Sequence, residues 1–309
     1  MLPALSKCQR TTLPLRARWN KALAIVVMNS PDTMQVPAMP GVTRWLFSFD
    51  FDGTLWGSDR RPQISMRFFE LMRRWRAQYG VRWGINTGRS MEYLWREYAP
   101  LAPFAPDFVV TSERYVSMAG PKGRLAPDVA RNACCRREHA LLFERFHDVL
   151  EALFLELRER YPSSRWSRSP EDPYAIEVEH IPDLDLFSPH MQALLARCPG
   201  LSVQRAGPYL RFCHAGYNKG TSLLHLAQAW NVAARRIVIL GDGHNDLDAF
   251  RLLPSAFRGG PANAHRDVRA FLESSGGVVS SYVEHRGVLD LLEAHVAFLL
   301  ARDAAVRAR

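Results

Sequence analysis

From Gly41 onward the chain alternates short apolar runs with longer stretches whose apolar positions recur every three or four residues. Trp45 to Phe49 is too short for a helix, ends in Asp50-Phe51-Asp52-Gly53-Thr54, and reads as a buried strand delivering a polar loop at its carboxyl end. Ile64, Phe68, Leu71, Met72, Trp75 and Tyr79 then repeat at helical spacing opposite Arg73, Arg74 and Arg76, and Gly80 stops the helix. Val81 to Ile85, Phe108 to Thr111 and Ile237 to Leu240 read as three further strands, the first followed by Asn86-Thr87-Gly88 and the last by Gly241-Asp242-Gly243. Such repeats predict an α/β fold, a Rossmann-like doubly wound parallel sheet with right-handed crossovers. Ligands bind such sheets at the carboxyl ends of the strands, and three of those ends carry Asp or Thr beside Gly.

Between Tyr115 and Gly207 the pattern changes. Leu142, Phe146, Val149, Leu150, Leu153, Leu157 and Tyr161 predict one long amphipathic helix, and Tyr174, Ile176 and Val178 an alternating strand. A second helix is expected over Leu186 to Arg197, then two strands, Leu201 to Val203 and Tyr209 to Cys213, around Gly207. The expectation is a small α+β cap domain, residues 115–207, inserted into a core made of 39–114 and 208–309, whose last helix surrounds Val288 to Ala304.

Charge alters this picture little. The formal net charge is +9, but Lys7, Arg10, Arg16, Arg18 and Lys21 all precede the first acid, Asp32. The body is thus only weakly basic and shows no basic face interleaved with aromatics, which argues against nucleic acid as a partner. The basic segment with its short apolar run Ala22 to Met28 is expected to be a disordered leader or to precede the true start, and residues 1–38 are placed outside the fold. No apolar run approaches the roughly 20 residues that span a bilayer, so no membrane partner is expected. Cys8, Cys134, Cys135, Cys198 and Cys213 are odd in number and lack CxxC spacing. They encode neither a disulfide framework nor a zinc site, and a reducing cytoplasm is the expected setting.

The candidate chemistry begins at Asp50 and Asp52. Carboxylates so placed can hold a hard cation, and one can attack a phosphorus atom while the other handles protons. Alone, a DxD is as readily a solvated turn. Gly241-Asp242-Gly243-His244-Asn245-Asp246 places a second acidic cluster after a second buried strand, without the spacing of an EF-hand calcium loop. Asp50-Phe51-Asp52-Gly53-Thr54-Leu55, Thr87, Lys219 in Asn218-Lys219-Gly220, and Gly241 to Asp246 together resemble the four ordered motifs of the haloacid dehalogenase-like hydrolase superfamily.

That resemblance implies a Mg2+-dependent phosphatase acting through an aspartyl phosphate. Asp50 would be nucleophile and metal ligand; Asp52 would be general acid and base and offer its backbone carbonyl to the metal. Thr87 and Lys219 would hold and neutralise the phosphoryl group, with Gly53, Gly88 and Asn245 lining the phosphate site, and Asp242 and Asp246 would complete the metal site. An acid at Asp52 argues against dehalogenation, since a halide leaves without a proton. The long stretch between Thr87 and Lys219 places the cap between the second and third motifs. This layout resembles the Cof-like and sucrose-phosphate phosphatase-like branch, whose members act on small phosphorylated metabolites, so a sugar phosphate is the expected substrate. Asn263, in Gly260-Pro261-Ala262-Asn263-Ala264, resembles part of a further turn of that branch, interrupted by Pro261. A phosphosugar mutase on the same scaffold and a non-catalytic binding protein are the alternatives. His244 and Arg89 remain open between site and solvent or helix cap; among cap residues, His180, Arg205, Arg211 and His214 are candidates for substrate contact.

Overall fold

The computed structural model describes residues 34–57, 63–120, 122–169, 172–180, 184 and 188–308. Five strands form its centre: β1 (Trp45–Phe49), β2 (Val81–Asn86), β3 (Phe108–Thr111), β10 (Ile237–Leu240) and β11 (Phe257–Gly260). They lie in an 8-stranded sheet that also holds β4 (Tyr115–Ala119), β5 (Leu125–Pro127) and β12 (Val278–Val279), in the order β12-β11-β10-β1-β2-β3-β4-β5, parallel from β12 to β3. β12 closes one edge.

Alternation along each strand splits the core in two. Trp45, Phe47 and Phe49 of β1 face one side with Trp83, Val238 and Leu240, under helices α1 (Met66–Tyr79), α2 (Met91–Tyr98), α9 (Glu284–Leu291) and α10 (Ala297–Arg307). Leu46, Ile237 and Ile239 face the other, with Leu223 and Leu226 of α6 (Lys219–Ala229), Phe250 of α7 (Leu247–Leu252) and Leu272 of α8 (Arg266–Ser274). The first face is a lattice of aromatic edges: Phe49 to Phe68 at 5.3 Å between centroids, Phe68 to Trp83 at 5.1 Å. Each such pair adds about 0.5–1.5 kcal/mol beyond its area burial.

The inserted unit has a core of its own, with Leu150, Phe154 and Leu157 of α4 (His147–Arg160) against Ile176, Leu210 and Phe212. Its 4-stranded antiparallel sheet has the order β6-β7-β9-β8: β6 (Arg165–Ser167), β7 (Ala175–Glu177), β8 (Leu201–Ala206) and β9 (Tyr209–His214). Gly207 (φ +54°) turns β8 into β9 in a backbone region where a side chain is strained. α5 (Ser188–Arg197) matches the second expected helix apart from its start; residues 185–187 lie outside the described residues.

Three expectations are corrected. The long helix is two, α3 (Val129–Arg145) and α4, because Phe146 (φ −111°, ψ 19°) leaves helical geometry between them. The boundary at residue 115 falls too early and that at 207 too early as well. β4 (Tyr115–Ala119) and β5 (Leu125–Pro127) are antiparallel strands of the large sheet, whereas β9 belongs to the small one. Apolar patterning cannot separate these cases, since both sheets want the same residue types. Finally, residues 34–38 are part of the fold: Met34 and Val36 are buried in the aromatic face, the Val36 N–H donates to the Gly123 carbonyl (2.7 Å), and Arg76 Nη1 donates to the Pro37 carbonyl (3.0 Å). The rest of the expected leader, 1–33, lies outside the described residues. Among the described residues no helix is long and apolar enough to cross a membrane.

Candidate active site

β1 and β10 run side by side in parallel register, Phe49 opposite Leu240, so the residues leaving their carboxyl ends meet. The Asp50 N–H donates to the Leu240 carbonyl (2.9 Å), which fixes that meeting point. Asp50, Asp242 and Asp246 each bring an oxygen within 4.8 Å of the others. Two glycines make room. A Cβ at Gly241 would lie 2.3 Å from the Asp246 carboxyl carbon, and one at Gly53 (φ +71°) 2.5 Å from Asp242 Oδ2. Thr54 Oγ1 donates to Asp242 Oδ1 (2.7 Å), and the Gly243 N–H to Asp246 Oδ2 (3.0 Å).

Lys219 enters from the first turn of α6. Asn218 caps that helix, its Oδ1 accepting from the Thr221 N–H (2.8 Å) while Thr221 Oγ1 accepts from the Asn218 N–H (2.9 Å). The Asn86 amide at the end of β2 donates to the Lys219 carbonyl (3.0 Å). So anchored, Lys219 Nζ donates to Asp50 Oδ1 (2.6 Å) and Asp246 Oδ1 (2.7 Å), with almost none of its side chain exposed.

Three carboxylates against one ammonium leave the pocket short of positive charge. Burial pushes the Asp50 carboxyl well above its ordinary range; Lys219 opposes the shift, and Asp246 and Asp242 add to it. Asp242 is raised to about 6, by burial first and then by Asp246. Burial works against the Lys219 ammonium too, yet Asp246, Asp50 and Glu113 more than offset it and its pKa is raised. An all-oxygen donor set with excess negative charge fits a hard divalent cation such as Mg2+.

The other expected site residues surround this cluster at different ranges. Thr87 is buried beyond β2, its backbone tied to Val110 (2.9 Å) and Glu113 (2.9 Å), and its hydroxyl accepts from the Arg89 N–H (3.1 Å). The Asp52 carboxylate lies outside the three-carboxylate cluster. It accepts two hydrogen bonds from Arg89, Nε to Oδ2 (2.7 Å) and Nη2 to Oδ1 (2.6 Å), and Arg89 rests on the Phe51 and Trp56 rings. Asn245 turns its amide to Glu113 Oε1 (2.6 Å). Asn263 ties the first loop down, donating to the Gly53 carbonyl (2.8 Å) and accepting from the Glu284 N–H (2.6 Å).

Glu113 is the residue that sequence reasoning missed. Ser112 (φ 47°) and Glu113 (φ 64°) both take left-handed backbone without being glycine, a cost usually kept only where the surroundings impose it. The signal was available: β3 also ends in polar residues, Thr111-Ser112-Glu113, as do the strands that carry the motifs. Buried Glu113 pairs with Arg211 of β9, Nη2 to Oε2 at 3.1 Å, and a Cβ at Gly88 would sit 3.2 Å from its Oε1. Arg211 also reaches Asp172 (3.6 Å), which is paired with Arg114 (2.8 Å). Of the four cap candidates, Arg211 pairs with a core residue, and Arg205 of β8 lies close enough to His244 of the Gly241 to Asp246 loop that its charge, after burial and His265, lowers the His244 pKa. His214 N–H donates to His139 Nε2 (3.1 Å), inside the inserted unit, and His180 is exposed.

A family model described as haloacid dehalogenase-like hydrolase matches residues 156–267, which hold Lys219 and the Gly241 to Asp246 loop. The fold is that of the haloacid dehalogenase-like hydrolases. Among solved structures similar to this chain is the sucrose-phosphatase of Synechocystis in complex with sucrose and phosphate. It is 16% identical, with a TM-score of 0.62 over 82% of this chain and 98% of that one. A haloacid dehalogenase-like hydrolase of Bacillus subtilis is 12% identical, with a TM-score of 0.57 over 89% of this chain and 99% of the other. A haloalkanoate-superfamily phosphatase of Bacteroides thetaiotaomicron is 19% identical, with a TM-score of 0.52 over 84% and 97%. No curated protein matches the chain by sequence.

Proposed function

We propose that this hydrolase-like protein is a Mg2+-dependent phosphatase of a small phosphorylated metabolite, most simply a sugar phosphate, working through a phosphoryl group carried on Asp50. The observation that carries the reading is Lys219 Nζ held between Asp50 and Asp246 at the edge of a three-carboxylate cluster.

Asp50, Asp242 and Asp246, with the Asp52 carbonyl, would hold the cation. When bound, it offsets the repulsion between a phosphate ester and a carboxylate nucleophile. The chain's own residues do the rest. Lys219 supplies a fixed positive charge at the nucleophile, and Thr87 retains a hydroxyl proton to donate to a phosphoryl oxygen. An Asp50 oxygen forms a bond to phosphorus as the ester P–O bond breaks, and the leaving oxygen takes a proton from Asp52. Water then attacks the acyl phosphate, giving its proton back to Asp52 and releasing phosphate and free Asp50. Arg89 holds Asp52 beside the cluster between these transfers, so Asp52 must move off that pair to reach the leaving group.

The sugar-phosphate assignment draws on the resemblance in fold to the Synechocystis enzyme. The test is a panel of sugar phosphates and an aryl phosphate, assayed for free phosphate and for isomeric phosphosugar, with Mg2+ and with chelator. Mg2+-requiring phosphate release is expected. An isomer formed without free phosphate would replace the hydrolase reading with a mutase, and full activity in chelator would remove the cation from the mechanism.

A further inference from the structure

Next to the carboxylate cluster, the loop after β10 and the start of α8 gather a second donor set, His244, His265 and Asp267. The two imidazole rings lie 3.9 Å apart between centroids. His244 Nε2 is 3.5 Å from Asp267 Oδ2, His265 Nδ1 is 3.8 Å from the same oxygen, and all three ligand atoms fall within 4.8 Å of one another.

His265 Nδ1 accepts a long hydrogen bond from the Asp267 N–H (3.3 Å), a weak capping contact that ligation of a metal through this nitrogen would replace. Imidazole nitrogens and a carboxylate are the donor types of a transition-metal site, and a bound cation would replace the direct His244–Asp267 contact. A tetrahedral centre with bonds of about 2.0–2.1 Å to nitrogen and oxygen spaces its ligands about 3.3–3.4 Å apart. Separations of 3.5 and 3.8 Å are within a small side-chain adjustment of that value. Arg266 approaches only the other oxygen, Oδ1, at 3.7 Å, and leaves Oδ2 to the imidazoles.

We propose that His244, His265 and Asp267 form a transition-metal site that takes Zn2+ or a cation of the same class, separate from the Mg2+ site and selective against Mg2+. Two imidazoles and one carboxylate with an open side are the donor set of an open zinc site, whereas Mg2+ takes oxygen almost alone. Because His265 and Asp267 are exposed, solvent completes the coordination. The site is mechanically joined to the catalytic loop. The His265 N–H donates to the Asp242 carbonyl (2.9 Å), so a metal bridging His244 to His265 ties the loop bearing Asp242 and Asp246 to the start of α8.

The test uses the full chain in saturating Mg2+, titrated with Co2+ and read by visible absorption, which reports low-coordinate imidazole ligation without reference to phosphatase activity. One equivalent of Co2+ is expected to give the band, Zn2+ to displace it, and Asp242→Asn to leave it in place. His265→Ala and His244→Ala should each weaken binding at least about tenfold, the loss that even an outer partner of a metal ligand can cost. If an alanine variant loses its circular dichroism spectrum, Asp267→Asn at an exposed position carries the same comparison. No band, a band unchanged in the ligand variants, or a band lost in Asp242→Asn would overturn the proposal.

Discussion

In the large sheet the candidate catalytic side chains stand just beyond buried strands; in the inserted unit Arg211, which pairs with Glu113 of the core, stands mid-strand. Asp50 follows β1, Thr87 follows β2 and Asp242 follows β10 after one glycine. Parallel register brings these ends together, so backbone hydrogen bonds of the sheet position the chemistry. Arg211 instead projects from the middle of β9, and its pairs with Glu113 and Asp172, with a hydrogen bond from its Nε to Gln204 Oε1 (3.2 Å), direct it inward. The difference teaches where tolerance lies. The core site cannot shift without breaking sheet register, whereas the cap contact depends on a few side-chain ion pairs that can be exchanged while the small sheet stands.

Breaking the core side should have the largest effect. Lys219→Ala removes the charge between Asp50 and Asp246, and turnover should fall about 10²–10³-fold, the scale of losing one preorganised electrostatic contact. The factor should be similar for every substrate in steady-state assays across the panel. A loss confined to some substrates would move Lys219 from chemistry to recognition.

The cap side should respond differently. Arg211→Ala should reorder kcat/KM among sugar phosphates by about tenfold, roughly one 1.4 kcal/mol contact, while leaving a minimal aryl phosphate nearly unchanged. Uniform slowing of all substrates would erase the division between the two regions.

A pH experiment sharpens the comparison. Asp242, raised to about 6, holds a proton in the metal-free fold that the unfolded chain has already released. Metal-free stability from this group therefore falls as pH rises through about 4 to 6. Mg2+ needs the ionised carboxylate, so the Tm increase on adding Mg2+ should be several degrees larger at about pH 7.5 than at about pH 5. Equal increments by differential scanning fluorimetry would contradict the raised carboxyl.

The smallest effect concerns the segment before β1. Deleting 1–38 removes the buried side chains of Met34 and Val36, each worth about 1.5–3 kcal/mol when fully buried, and should lower Tm by several degrees relative to deleting 1–33. Activity of the folded fraction should be the same in both truncations. Equal melting temperatures would place residues 34–38 outside the stabilising core.

What was legible in the sequence follows the same division. Apolar runs ending in Asp-x-Asp-Gly or Gly-Asp-Gly announce buried strands and their outgoing loops, and the four motifs in order restrict the chemistry. These features are local. The pairing of Arg89 with Asp52 and of Glu113 with Arg211 joins residues far apart in sequence, and no periodicity encodes which arginine finds which acid. The boundary at residue 115 put β4 and β5 with the inserted unit for a related reason: nothing in their sequence marks which sheet they join. Met34 and Val36 went unnoticed because a few apolar residues after a basic, acid-free segment carry no period at all.

The most direct test of the central claim is to quench the protein in acid during turnover of a sugar phosphate and map the peptide that carries phosphate by mass spectrometry. An acid-stable, base-labile phosphoryl group on the peptide containing Asp50, absent in a folded Asp50→Asn variant that also releases no phosphate, is the expected result. Phosphoryl on another residue, or ordinary turnover by Asp50→Asn, would contradict the account.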